Sequence, residues 1–467
     1  MKQLLTTTRL AADRHGHMAE PKWHQWLFTL PSSWSIFLLV MVSVLTYFPV
    51  FSHRFLQTWD DQWVVQNYYT TAGLSFSNWW AVITEYYNGQ YAPVNETWYL
   101  LLHEAFGYDA FWFHAGSMLI HIINVIVVYS FVRQLLKMAG TFSPLSVNRI
   151  ALVSALLIAI HPFLVESVAW LSASKIILYV LFYLLALKGY LRYIDTKKWG
   201  WYLYTIVAFI LSFGAKEQAV TLPLCLLLLD YTLGRNLKDK RVWLEKIPFI
   251  LLTLFFGIVT ILSQADNGQG ALAAGKGYPF YQKVIFAFYC LSEYFVKSVL
   301  PVNLMYVYPF PNQIGDPVPF RFWLYPFAII AIAILFYSFW KQRWIFFGIC
   351  FFTIHLTTVL HIIPMSRYTI IADRYVYLSA IGVVFMMAYL YDKYITEKPI
   401  YAAPIHATLL CYLIYFGVYT HLRCQVWHSP ETLKKEVQDI IKQRKDYQPP
   451  GARRKQTKVK KSYQTAE

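Results

Sequence analysis

Charge is scarce in this chain. Asp, Glu, Lys and Arg together make up 14% of its 467 residues, against about 25% in soluble domains. Apolar residues reach 57%, above the roughly 45–50% usual for soluble proteins. A string of two or three soluble domains is excluded on those grounds. Cysteine is sparse too. Cys225, Cys290, Cys350, Cys411 and Cys424 are scattered, mostly within apolar runs, which excludes both a disulfide framework and zinc-finger spacing. Acidic residues are scarcer than basic ones, 25 against 41, for a formal net charge of +16. The first 33 residues hold several basic groups but no apolar core followed by a small-residue cleavage site, so no removable signal peptide is expected.

What the chain has in abundance is long apolar runs edged with Trp and Tyr; aromatics make up 19% of it. Aromatic belts of that kind mark the two faces of a bilayer. A crossing needs about 20 apolar residues, fewer where the membrane is thin. The runs Ser35–Phe51, Ala115–Leu136, Ile150–Val165, Ile176–Leu191, Gly200–Gly214 and Ala219–Leu229 are candidates. So are Ile247–Ser263, Trp323–Trp340, Trp344–Ile363, Tyr375–Tyr391 and Pro404–Thr420. The expected fold is an all-α integral membrane bundle of about 11 transmembrane helices. Its parts are a cytoplasmic segment 1–33, a polytopic module 34–420 with a long first outer loop at 52–114, and a short helix with a basic tail at 421–467. A further stretch, Val284–Leu300, carries Glu293 and Lys297 and ends at Pro301, and is read as a helix lying on or dipping into the membrane. Were it to cross, Asp373 and Arg374 would face the side opposite Asp60 and Asp61.

Lys and Arg concentrate in the connectors that become cytoplasmic when the N-terminus is inside, such as Arg133, Lys137 and Arg149, or Arg235, Lys238, Lys240, Arg241 and Lys246. The opposite loops are sparser in positive charge and richer in unusual polar clusters. The tail departs from this pattern, with Arg453, Arg454, Lys455, Lys460 and Lys461 on the outer side. Beside a membrane such a tail fits a solvated or headgroup-binding role, and no nucleic-acid partner is expected.

Four clusters on the outer side carry candidate chemistry. The first is Trp59-Asp60-Asp61-Gln62-Trp63, just past the first apolar run. Adjacent side chains diverge, so one carboxylate can face a cavity while the other holds structure or substrate. A carboxylate at a low-dielectric interface has its pKa raised, as a general base requires; a plain acidic cap is the alternative. The second cluster runs from His161-Pro162 through Glu166 and Trp170 to Lys175, with proline expected to break the helix near His161. The third is Lys216-Glu217, between two runs too short to cross comfortably. That turn is predicted to sit below the membrane surface against protein or a water-filled cavity, either as a structural ion pair or as a receptor for an anion. The fourth is Arg367 with Asp373-Arg374-Tyr375, where arginine suits phosphate. Two look-alikes carry no weight. Gly270 to Gly277 nearly spells a phosphate loop but lacks the Ser or Thr that holds magnesium, and His103-Glu104 meets Gly107 where a zinc protease needs histidine.

Taken in order, these clusters resemble the GT-C glycosyltransferases that use polyprenyl- or dolichyl-phosphate sugars. Within that superfamily the chain resembles the transmembrane and tetratricopeptide-repeat O-mannosyltransferases and their bacterial relatives. The resemblance rests on Asp60-Asp61, Tyr91-Ala92-Pro93, Phe113-His114, Leu119-Ile120-His121, and His161-Pro162 through Val165-Glu166-Ser167-Val168-Ala169-Trp170 to Lys175. It continues through Ala215-Lys216-Glu217-Gln218 to Pro223 and Asp230, Tyr308-Pro309-Phe310-Pro311, and Ala372-Asp373-Arg374-Tyr375-Val376-Tyr377-Leu378. Residues 426–433 are similar to the lead-in to the repeats, but no repeat follows. Ala92 stands where that branch has Arg, and no acidic residue follows Lys175.

The resemblance implies an inverting glycosyltransferase that moves a sugar from a polyprenyl-phosphate donor to an acceptor hydroxyl on a protein or a glycan. It implies Asp60 or Asp61 as general base and Lys175, Lys216 and Arg374 as donor phosphate ligands, with His161, Glu166, Glu217 and Asp373 in support. No cofactor is required; a divalent metal beside paired aspartates is compatible but not demanded. The expected setting is a bacterial inner membrane with the site facing the periplasm, ahead of the endoplasmic reticulum. A transporter or flippase for lipid-linked sugars is the rival; it predicts ionisable groups near the midplane and repeated, interrupted helices. The charges here sit at one rim and no repeat is evident.

Overall fold

The computed structural model describes residues 28–266, 277–335, 337–362 and 369–442. Arg367, the basic tail beyond Lys442, the run Gly270 to Lys276 and most of the segment 1–33 fall outside the described residues. Among the described residues the structure is helical throughout, without a named strand. Where water is absent, only a helix or a closed barrel satisfies the backbone.

Six helical stretches are long and apolar enough to cross a membrane: Ser32–Ser52, Ala110–Ala139, Leu171–Thr196, Lys240–Ala265, Asp373–Glu397 and Pro399–Trp427. A seventh crossing arises if Pro144–Ala159 and Pro162–Ala169 are taken as one span, bent by 54°. The bend falls at His161-Pro162, where proline removes a donor and pushes the preceding residue out of the helical region. Trp199–Ala215, Phe320–Leu335 and Arg343–Val359 are shorter apolar helices. The protein is thus a multi-pass membrane protein.

Helix ends follow local chemistry. Ser143 accepts from the Ser146 amide and Pro144 takes the first helical position of Pro144–Ala159. Asp109 accepts from the Phe111 amide at the start of Ala110–Ala139, and Gly140, in the left-handed region, ends that helix. In the most apolar 18 residues of Leu171–Thr196 and of Asp373–Glu397, 72% are buried, which puts these helices at the centre; in Pro399–Trp427 only 11% are, so that helix lies at the periphery. Small residues let the central helices meet closely: a Cβ on Gly189 would lie 2.6 Å from the Tyr204 ring, and Gly348 and Gly382 face each other's carbonyls.

Val284–Leu300 forms the helix Phe280–Val299, with Lys297 donating to the carbonyls of Val302 at 3.0 Å and Asn303 at 3.3 Å. After Pro399–Trp427 the chain turns back onto the end of the bundle that carries the Asp60 loop. There the Arg54 amide donates to the His428 carbonyl at 3.0 Å. Arg423 then reaches Glu436 of the helix Pro430–Lys442 at 2.5 Å. Residues 425–442 therefore share a face with the first loop.

Candidate active site

A cavity of about 620 Å³ opens at this end of the bundle. Asp60, Lys175, Lys216, Glu217 and Arg374 all line it. These five residues come from four stretches of sequence, more than 300 positions apart at the extremes. Asp60 and Arg374 on one cavity remove the arrangement in which they lie on opposite faces.

The two aspartates part company. Asp60 has a φ of 77°, in the left-handed region, and opens a single helical turn, Asp61–Val64. Its Oδ1 accepts from the Trp63 indole at 3.1 Å. Asp61 does not line the cavity and is fully buried. Its carboxylate accepts from the Leu56 amide at 2.7 Å, the Ser172 amide at 3.0 Å and the Ser172 hydroxyl at 2.5 Å. Burial pushes its pKa up to about 6, against the pull of those three hydrogen bonds. Asp61 is therefore a clasp between the first loop and the segment after the bend, with its oxygens turned away from the cavity.

The cations are held from behind. Arg374 Nη1 meets Glu166 at 2.5 Å, and the Arg374 amide donates to the other Glu166 oxygen at 3.1 Å. Its guanidinium lies over the rings of Trp170 and Tyr375, at 5.4 and 4.8 Å from their centroids. Lys216 breaks the helix Trp199–Ala215 with extended backbone and pairs with Glu217 at 2.9 Å. Lys175 donates to the neutral amide oxygen of Gln90 at 2.6 Å.

His161, Glu166 and Asp373 also stay off the cavity wall. His161 is buried; Nδ1 accepts from the Phe163 amide, Nε2 meets the Ser298 carbonyl at 2.9 Å, and its ring packs on Phe416. Its place is the bend itself. Asp373 accepts from the Tyr308 hydroxyl at 2.7 Å and lies 4.0 Å from Arg423, so it braces the turn that aims Arg374. These groups act through neighbours, because successive side chains of a helical turn diverge, so that Asp373 points away from the cavity that Arg374 lines.

Several lining residues escaped the sequence reading. Asn88, Gly89 and Gln90 line the cavity, in a tight turn bridged Tyr87 to Gln90, with positive φ at Asn88 and Gly89. The Asn-Gly pair is a legible signal for that turn. Thr260, Ser263 and Gln264 line it from the helix Ile247–Asp266; polar groups at helical spacing on an apolar helix were the signal there. Tyr306 had none. Glu96 sits behind the turn in a narrow side pocket with Glu85 and Tyr87, and accepts from the Asn67 amide group. Burial pushes its carboxyl up to about 7, opposed by Asn67 and Lys175.

Among the described residues, no three His, Cys, Asp or Glu side chains are grouped to hold a metal ion. With Asp61 engaged by Ser172 and Leu56, Asp60 and Glu217 are the carboxylates on the lining, and Glu217 is held by Lys216. No protein-family model matches the chain, and no curated protein does.

Proposed function

We propose that the protein is an inverting glycosyltransferase that moves a sugar from a polyprenyl-phosphate carrier to an acceptor hydroxyl at the non-cytoplasmic face of the membrane. The observation that carries the reading is one cavity lined by a carboxylate, Asp60, and by three cations, Lys175, Lys216 and Arg374. The GT-C-like bundle of about 11 crossings belongs to the same proposal, with the short apolar helices crossing beside the long ones. A bacterial inner membrane, with the cavity toward the periplasm, is the setting it implies.

The chemistry needs two ends. Asp60 takes the proton of the acceptor hydroxyl as that oxygen bonds to the anomeric carbon. The bond from that carbon to the phosphate oxygen breaks on the far side, so the configuration inverts. The leaving lipid phosphate gains one negative charge, which Lys175, Lys216 and Arg374 stabilise where it develops. Glu166 fixes the Arg374 fork, and Glu217 keeps Lys216 in place while leaving its remaining protons to the donor. Trp59, Trp63 and Tyr306 supply aromatic surface for a sugar ring.

The test is transfer by the purified protein in native lipid. A panel of radiolabelled polyprenyl-phosphate sugars is offered with crude periplasmic acceptors, comparing wild type with Asp60→Asn at equal expression. Transfer by wild type that collapses in the variant is expected. Movement of lipid-linked sugar across liposomes, with no transfer and no need of Asp60, would replace this reading with a flippase.

A further inference from the structure

Trp170 touches both charged ends of the cavity. Its indole Nε1 donates to the Trp59 carbonyl at 3.0 Å. The Arg374 guanidinium rests on the face of the same ring. Tyr306 meets that ring edge-on at 5.7 Å, and Trp427 stacks behind it at 5.6 Å and 20°. Trp427 is itself fully buried, so the indole has no room to swing.

The Trp59 carbonyl belongs to the peptide group whose nitrogen is that of Asp60. The plane of that group defines φ at Asp60, and the value found, 77°, is one that residues other than glycine seldom adopt. A hydrogen bond that pins the carbonyl pins the plane. Two residues beyond Trp170, Ser172 locks Asp61. Four residues before it, Glu166 locks Arg374. One short segment therefore grips the carboxylate loop and the cation together.

We propose that Trp170 is a positioning residue that sets Asp60 against Arg374, through one indole N–H and one indole face. The kinetic consequence rests on the glycosyl-transfer reading; the clasp does not. In an inverting displacement, base and leaving-group cation act on opposite sides of one carbon, and a misplacement of about 1 Å costs about 100-fold in rate.

The experiment uses the full chain in lipid nanodiscs. Trp170→Phe removes the N–H and keeps an aromatic face for Arg374. Hydrogen exchange across residues 56–66 is expected to quicken, and kcat with polyprenyl-phosphate mannose to fall about tenfold or more. The KM for that donor should stay within about twofold, because the face beneath Arg374 remains. Trp170→Leu removes both contacts and should raise KM as well. Trp170→His, which restores a ring N–H, should recover part of kcat. Unchanged exchange or unchanged kcat in Trp170→Phe overturns the proposal. Should that variant fail to accumulate, the His and Leu variants decide: equal exchange at 56–66 in both overturns it, and slower exchange in the His variant upholds it. A wild type that transfers nothing from polyprenyl-phosphate mannose or from any other donor of the polyprenyl-phosphate sugar panel sinks the glycosyl-transfer reading alone, and the exchange result still decides whether Trp170 holds the loop.

Discussion

The two ends of the central helix Ser174–Thr196 hold very different clusters of charge. Lys175 and Tyr190 lie on it about 22 Å apart by helical rise. Around Tyr190, the charges close on one another. Asp230 is met by Lys246 at 2.6 Å and Arg235 at 2.8 Å, and by the Tyr190 hydroxyl at 2.9 Å. Arg235 also grips Glu245, at 2.7 and 3.0 Å. Two acids meet two bases there, and each is engaged. Around Lys175 the groups face a cavity instead, and Lys175 itself meets an amide oxygen rather than a carboxylate. The lesson is that ionic residues alone do not mark a site. A cluster that cancels itself is architecture; one that leaves charge pointing into open volume is prepared for a ligand.

Removing one charge at each end should separate the two kinds of cluster most sharply. Asp60→Asn is expected to lower kcat by about 100- to 10,000-fold with the melting temperature unchanged. Asp230→Asn should do the reverse. It leaves Lys246 buried without its carboxylate, a loss of about 3–5 kcal/mol, read as a lower melting temperature and poorer yield. If Asp230→Asn melts like wild type, or Asp60→Asn keeps its kcat, the contrast is broken.

Next in size is Arg374→Gln, expected to cost about 100- to 1,000-fold in kcat as the leaving phosphate loses a charged fork. Single-turnover transfer, which isolates the chemical step, checks this. Gln90→Glu is a gentler probe, since it would convert the Lys175 contact into a closed pair like those around Tyr190. Donor KM should rise about tenfold, measured by titrating the lipid-phosphate sugar.

The smallest effect concerns Asp61. Its carboxyl is pushed up to about 6 from an ordinary 3.8. Between those values the folded protein binds the proton and the unfolded chain does not. The group's contribution to stability is therefore full below about pH 4 and is lost as pH rises through about 6. Function runs the other way, because the protonated carboxyl can no longer accept all three hydrogen bonds. An acid limb near pH 6 in the pH profile of kcat is expected, and it should be abolished in Asp61→Asn. A limb that survives the substitution belongs to another group.

Much of the bundle was legible because lipid imposes simple rules. Apolar runs, their aromatic edges and the break at His161-Pro162 could be read directly, since hydrophobic length and proline act locally. The crossing count was less legible. The segments 200–214 and 219–229 fold into a short helix, a turn at Lys216 and another short helix, and span length blurs where a chain turns back inside protein. At the site, residue types pointed to Asp60, Lys175, Lys216 and Arg374, because charge is rare enough in such a chain to be informative. Nothing local separated Asp60 from Asp61, and nothing local marked Tyr306.

By itself the sequence determined that the chain lives in a membrane, where its helices break and which few charges cluster. Those are properties of neighbours along the chain. Only the tertiary structure decided that Asp60 faces the cavity while Asp61 is turned to Ser172, that Glu166 backs Arg374, and that Trp170 joins the two. Such contacts link residues more than 100 positions apart, and their direction depends on backbone angles such as the left-handed φ of Asp60, which folding of the whole bundle imposes.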